Sequence, residues 1–202
     1  MNKRIHIHRR LLRFYDLIRW WGLLGCVLCM TSASSMAQTA ATSDGVDEYQ
    51  LKAVFIYNFS KFVEWPASSF ADSNANFEIC VVGYNPFGDA LNLLTRRSYQ
   101  THPIVIRYPQ NTSDAKACHI LYIDDSVKST QWHEMAKGLG DAAILTVSNG
   151  AESAQSGVGI GFVSRDGKIR WVLNLNATRK AQLKVSAKLV EIATDIIGDT
   201  SK

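Results

Sequence analysis

No stretch of this 202-residue chain is apolar for long enough to cross a bilayer. The strongest candidate, WWGLLGCVLCM at 20–30, has 11 residues, against the roughly 20 a spanning helix needs. Chemistry is missing too. There is no His-Glu-x-x-His, and no Cys-x-x-Cys beyond residue 30, so zinc has no framework. There is no Gly-x-Ser-x-Gly elbow and no P-loop with its Lys-Ser/Thr pair, which removes the usual frames for acyl and nucleotide chemistry. Gly157-Val-Gly159-Ile-Gly161 runs into a strand, whereas a dinucleotide fingerprint runs from strand through glycine turn to helix. Gly83-Tyr-Asn-Pro-Phe-Gly88 could offer backbone N–H groups to an anion, but a plain turn is the expected reading. Asp124-Asp125 reads as a solvated turn. Neither an enzyme, a metal nor a cofactor is expected.

An excess of positive charge is absent once the chain is divided. The whole chain has 22 basic and 18 acidic residues, giving +4. Residues 1–37 hold six of the basic residues and one of the acidic, leaving 16 against 17. Nothing remains to suggest nucleic acid, which needs a concentrated positive surface. Those 37 residues have the layout of a cleaved secretory signal, with a basic start, an apolar run and Ser35-Met36-Ala37 at the cleavage site. The alternative is a lipoprotein box, Leu23-Leu24-Gly25-Cys26. It has only about six apolar or small residues before its cysteine, and the apolar run continues past it. Cleavage after Ala37 and a periplasmic location are expected, followed by a flexible leader at 38–46 and a domain over 47–198.

Cysteine is scarce. Beyond residue 30 only Cys80 and Cys118 remain. An even pair in an exported protein reads as a disulfide, the alternative being two buried free thiols.

What is present is alternation. Apolar residues recur at helical spacing from Tyr49 to Val63, and Pro66 ends the run. FEICVVG (77–83), PIVIRY (103–108), HILYI (119–123), AILTVS (143–148), GIGFVS (159–164) and KIRWVLN (168–174) read as strands. Arg165-Asp166-Gly167 makes a hairpin of the last two. Helices are expected over 86–94, over 126–139 closed by Gly140, across ATRKAQ, and from a Ser186 cap through AKLVEIATDII. The fold class is α/β, a single domain with a layered mixed β-sheet flanked by helices.

Two of these helices carry unusually wide apolar arcs. Leu51, Phe55, Phe59 and Phe62 mark the core side of the first, whose apolar arc spans roughly 200°. Ile56 and Val63, with Trp65 just beyond, are candidates for a dimer or partner surface.

LKAVFIYNFSKFVEWP, ICVVGYNPFG, CHILYI, ILTVS, IGFV, KIRWVLNLNAT and LKVSAKLVEIA occur in the order seen in YfiR/HmsC-like periplasmic proteins, and the chain resembles that family over about 49–195. The resemblance implies a small, typically dimeric α/β repressor. It would bind the periplasmic part of an inner-membrane diguanylate cyclase and hold it inactive, lowering cyclic di-GMP and biofilm formation. An outer-membrane lipoprotein partner is implied as well. Cys80 and Cys118 match the family's pairing cysteines. Lys184 and Ser186 stand where some members place a small-ligand pocket, and Arg170 is a further basic candidate for an anionic ligand. A periplasmic small-molecule sensor is therefore the alternative function. Gln182 replaces a glycine often found before that block.

Overall fold

The computed structural model describes the backbone of residues 40–199 and the side chains of 48–199. The signal expected at 1–37 and the lipoprotein alternative at Cys26 lie outside the described residues. Helix α1 (Ala40–Ser60) begins inside the segment expected to be a flexible leader. After β1 (Val63–Glu64) the chain makes one 3-10 turn and enters β2 (Phe77–Val82). Asn85 makes a local turn by accepting the Phe87 N–H at 3.0 Å. The helix expected over 86–94 is therefore replaced by turns and a 3-10 segment, Leu91–Arg96.

The chain continues through β3 (Ser98–Tyr99), β4 (His102–Arg107), α2 (Thr112–Ala115), β5 (Ile120–Ile123) and α3 (Ser129–Leu139). Next come β6 (Leu145–Asn149), α4 (Ala151–Gln155), β7 (Ile160–Arg165) and β8 (Lys168–Asn174). The last elements are α5 (Leu175–Lys180), β9 (Lys184–Val185), α6 (Ala187–Glu191) and β10 (Asp195–Ile197). AKLVEIATDII thus divides into a short helix and an edge strand. Ser186 does cap the helix, accepting the Leu189 N–H.

One sheet has the order β10-β8-β7-β6-β5-β2-β4-β3. Its middle five strands, β4-β2-β5-β6-β7, are parallel. Ranked by sequence they run 2-1-3-4-5, the doubly wound flavodoxin-like order. β7 and β8 form the expected antiparallel hairpin, with Asp166 and Gly167 both at positive φ, as a two-residue turn of that hand requires. A separate two-stranded sheet pairs β1 with β9. Central strands buried on both faces must be apolar throughout, and all four residues of β5 are buried.

Each face has its own core. One is built from Phe77, Ile79, Tyr122, Phe162, Trp171 and Leu173 with Ile56 and Phe59 of α1. The other gathers Cys80, Leu121 and Ile123 beneath Trp132 and Leu139 of α3. Fully burying one such aliphatic or aromatic side chain contributes about 1.5–3 kcal/mol. A β-carbon on Gly161 would overlap the Gly150 carbonyl oxygen, so only glycine lets α4 sit this close to β7.

Ile56, Val63 and Trp65 are not on the surface. All three are at most 7% exposed and belong to the first core. Leu51, expected inside, is exposed; Phe55 and Phe62 are half-buried and Phe59 is buried. The buried stripe of α1 is Lys52, Ala53, Ile56, Phe59 and Ser60, continued by Val63.

Candidate functional site

A doubly wound sheet ordinarily takes its ligand at the carboxyl ends of the strands where the winding reverses. Here that point lies between β2 and β5, and it is shut. The Tyr84 N–H donates to the Ser126 hydroxyl at 2.9 Å, and a β-carbon on Gly83 would fall 2.7 Å from that oxygen. Asp124 is buried rather than solvated and accepts the Ser126 N–H at 2.9 Å, which makes it a turn-former.

Beside it a polar knot ties α1 to the end of β6. The buried Lys52 ammonium pairs with Glu48 at 2.5 Å and donates to Asn149 Oδ1 at 2.8 Å. The Asn149 amide in turn donates to Asp125 at 2.9 Å and to the Tyr49 hydroxyl at 3.2 Å. Lys52 also lies over the Tyr49 ring, 4.5 Å from its centroid. Below, the buried Tyr122 hydroxyl makes no well-aligned hydrogen bond among the described residues. Burial above all, then the facing Tyr49 hydroxyl and the Asp125 and Asp124 carboxylates, raise its pKa beyond the ordinary tyrosine range.

An open groove of about 680 Å³ lies elsewhere, framed by α5, β9 and α6. Leu175, Leu183, Val185 and Val190 give it apolar walls, and Arg179, Lys184 and Glu191 supply charge. The geometry suits an amphipathic ligand with a small polar head. Lys184 lines this groove, as the sequence reading expected of a pocket, but the other two candidates do not join it. Ser186 spends its hydroxyl on the α6 cap. Arg170 is exposed on β8, and strand alternation turns it away from the face carrying Trp171 and Leu173.

The exposed large apolar residues include Leu51 and Val54 on α1 and Ile192 after α6, all between 44% and 49% exposed. The two elements are linked through β1 and β9, where the Ser186 N–H donates to the Phe62 carbonyl at 2.8 Å. The wide apolar arc of α1 leaves Leu51 and Val54 exposed, whereas Ile56, Val63 and Trp65, the residues named from the sequence, are buried. Arg179 and Glu191 left no distinctive sequence signal, because α5 and α6 are each too short to show a face.

Cys80 and Cys118 form a disulfide closing a separation of 38 residues. Cys118 lies in the α3-side core, whereas the ring of His119 stacks on Phe77 in the other layer. The two neighbours take opposite faces, as strand geometry requires. His133 is on α3 and bonds to the Ser129 carbonyl, whereas the rings of His102 and His119 both stack on Phe70.

Fold and groove together define a mixed α/β domain with a stapled doubly wound sheet and a side groove. The chain belongs to the YfiR/HmsC-like family, which it matches over residues 49–194. Members of that family are periplasmic, non-catalytic regulators of diguanylate cyclases. No curated protein matches the chain as a relative. Among solved structures it is similar to a conserved domain protein of Vibrio cholerae O1 biovar El Tor. That pair shares 12% identity at a TM-score of 0.47, over 73% of this chain and 60% of the other. Among the described residues no helix is long and apolar enough to cross a membrane.

Proposed function

We propose that this protein is a periplasmic repressor that binds the periplasmic part of an inner-membrane diguanylate cyclase and holds the enzyme inactive. The observation that carries the reading is the family match across 49–194. Leu51 and Val54 on α1 and Ile192 after α6 are exposed large apolar side chains, the kind of side chain from which protein interaction sites are built. Repression works by population shift, through tighter binding to the inactive conformation of the cyclase. A homodimer and an outer-membrane lipoprotein that withdraws the repressor belong to the same reading. The experiment is a strain carrying Leu51→Asp with Val54→Asp. Cyclic di-GMP should rise to the level of the deletion strain while the purified variant keeps its circular dichroism. A folded double variant that still represses fully, or a deletion that leaves cyclic di-GMP unchanged with the cyclase expressed, overturns it.

A second reading is favoured by the groove. An amphipathic anion could rest its apolar part on Leu175, Leu183 and Val190 and its charge on Arg179 or Lys184. Ligand binding to the folded state raises the melting temperature by mass action. A thermal-shift series of aromatic and aliphatic carboxylates should give a shift that Lys184→Glu removes. A flat response across that series counts against the sensor.

A further inference from the structure

The hairpin of β7 and β8 outruns the sheet that holds it. β6 accompanies β7 only as far as Phe162, and β10 joins β8 only from Val172 onward. Residues 163–170 therefore stand as a two-stranded ribbon with no described strand on either side. Ser164, Arg165, Lys168 and Arg170 are exposed, and Val163 and Ile169 are half-buried.

The register sorts the side chains of the ribbon. Phe162 lies opposite Trp171 and Ser164 opposite Ile169, and the first pair belongs to the core on the α1 side. Alternation turns the residues between them the other way. Val163 opposite Arg170 and Arg165 opposite Lys168 thus share the second face, so all three cations of the ribbon point to one side. Opposed β-carbons are about 4.5–5.5 Å apart, and alternate residues of one strand about 6.8 Å. Like charges set directly opposite each other destabilise a sheet. No carboxylate of the chain offsets that cost, since the ion pairs among the described residues are Lys52–Glu48, Arg107–Glu78 and Lys137–Glu134. Asp166, the one acid of the ribbon, sits in the turn at positive φ. The face lacks negative charge, and a partner can supply it.

The backbone narrows the class of partner. The Phe162 carbonyl accepts the Gly150 N–H at 2.7 Å, and the Trp171 carbonyl accepts the Thr194 N–H at 2.9 Å. Both residues therefore turn their main-chain polar groups away from the hairpin. Two residues further out, Ser164 and Ile169 do the same, with no described strand to meet them. An open strand edge takes a further strand by main-chain pairing, which a lipid headgroup cannot offer. An anionic bilayer is disfavoured on charge as well. Lipid-recognising clusters hold about 4–8 basic residues, and the ribbon holds three. Beyond residue 37 the rest of the chain has 13 basic and 16 acidic residues, an excess that an anionic plane repels.

We propose that the ribbon 163–170 is a docking element for an acidic, extended segment of a protein partner. The segment adds as a strand at the Ile169 edge of β8 and sets carboxylates on alternate residues against Lys168 and Arg170. Arg165, across the ribbon from Lys168, reinforces the first of these contacts. The docking is a property of this chain's own surface and does not rest on the cyclase reading.

The test is a nuclear magnetic resonance titration of the purified protein with a synthetic peptide that alternates Glu with Thr. Amide shifts should be confined to the ribbon and be largest at Ile169. A peptide of the same composition with its Glu residues in one block should bind at least about tenfold more weakly, because its carboxylates miss the spacing of alternate strand residues. Lys168→Glu separates docking from folding. It turns the like-charged pair with Arg165 into an opposite-charged one, so the melting temperature should rise by about 1–4 °C while the affinity for the alternating peptide falls at least about tenfold. A ribbon with a structural role alone would show only the first change. Absence of shifts in the ribbon amides, equal binding of the blocked peptide, or undiminished binding by folded Lys168→Glu overturns the docking element. Ribbon shifts with phosphatidylglycerol vesicles and none with the peptide assign the face to lipid headgroups and overturn it equally.

Discussion

Asn149 is the residue through which α1 is tied to the sheet in polar terms. Its amide oxygen holds Lys52 and its nitrogen holds Asp125 and Tyr49. Asn149→Ala would leave the buried ammonium with Glu48 alone, and Glu48 is half exposed. An unmet buried polar partner costs about 1–3 kcal/mol. Urea unfolding at pH 7 should show a loss of that size, with little change in the slope. His119 makes a prediction of opposite origin, through the proton it refuses. Its pKa is held at about 4 in the fold, against about 6.5 in the unfolded chain. The unfolded state binds the proton more readily, so the stability is fully present above pH 6.5 and is lost as pH falls toward 4. The loss amounts to about 3 kcal/mol across that window. Urea midpoints measured from pH 7 to pH 4 should fall accordingly, and the contribution should vanish from the difference in His119→Phe.

At the scale of elements, Gln182 marks where a local sequence signal was legible. The glycine expected before β9 is missing, and Gln182 adopts φ 56° in the turn that brings α5 back to β9. A side chain in that region costs about 1–2 kcal/mol relative to glycine. Gln182→Gly should therefore stabilise the protein, by about 0.5–1 kcal/mol after the added freedom of the unfolded chain is subtracted. A rise of a few degrees in the melting temperature would register it. The strands and the Asp166-Gly167 turn were equally legible, because an apolar run and a positive-φ pair are local properties. The face of α1 was not. Lys52 and Ser60 belong to its buried stripe, and hydrophobicity alone places both in water. Lys52 is buried because Glu48 and Asn149 await it, and Ser60 because its hydroxyl returns to the Tyr57 carbonyl at 2.6 Å. The final element was misread for a similar reason. Ile196 and Ile197 continue a helical period as well as they start a strand. What decides is the free edge of β8, whose Trp171 carbonyl takes the Thr194 N–H at 2.9 Å. The groove was legible only through Lys184, since its walls come from elements separated by turns.

For the molecule as a whole, the Cys80–Cys118 bridge joins the middle of β2 to the residue pair preceding β5, two adjacent parallel strands. Closing a separation of 38 residues removes about 4 kcal/mol of unfolded-chain freedom in the loop-entropy account. That is a large share of the roughly 5–15 kcal/mol by which domains are stable. The bridge lies in the core beneath α3. The groove walls and the inner side of α1 belong to the core on the opposite face of the sheet. A bond so placed can support the proposed partner surface by keeping the domain folded, but it does not shape that surface. The paired variant Cys80→Ala with Cys118→Ala should thus lose about 4 kcal/mol in urea unfolding. Below its melting temperature it should still bind the periplasmic part of the cyclase within about twofold of wild type, which corresponds to less than 0.5 kcal/mol. Calorimetric titration at 10 °C, with circular dichroism on the same sample, separates the two effects. A tenfold loss of affinity in a fully folded variant would mean that the bridge sets the geometry of the binding surface across the thickness of the sheet.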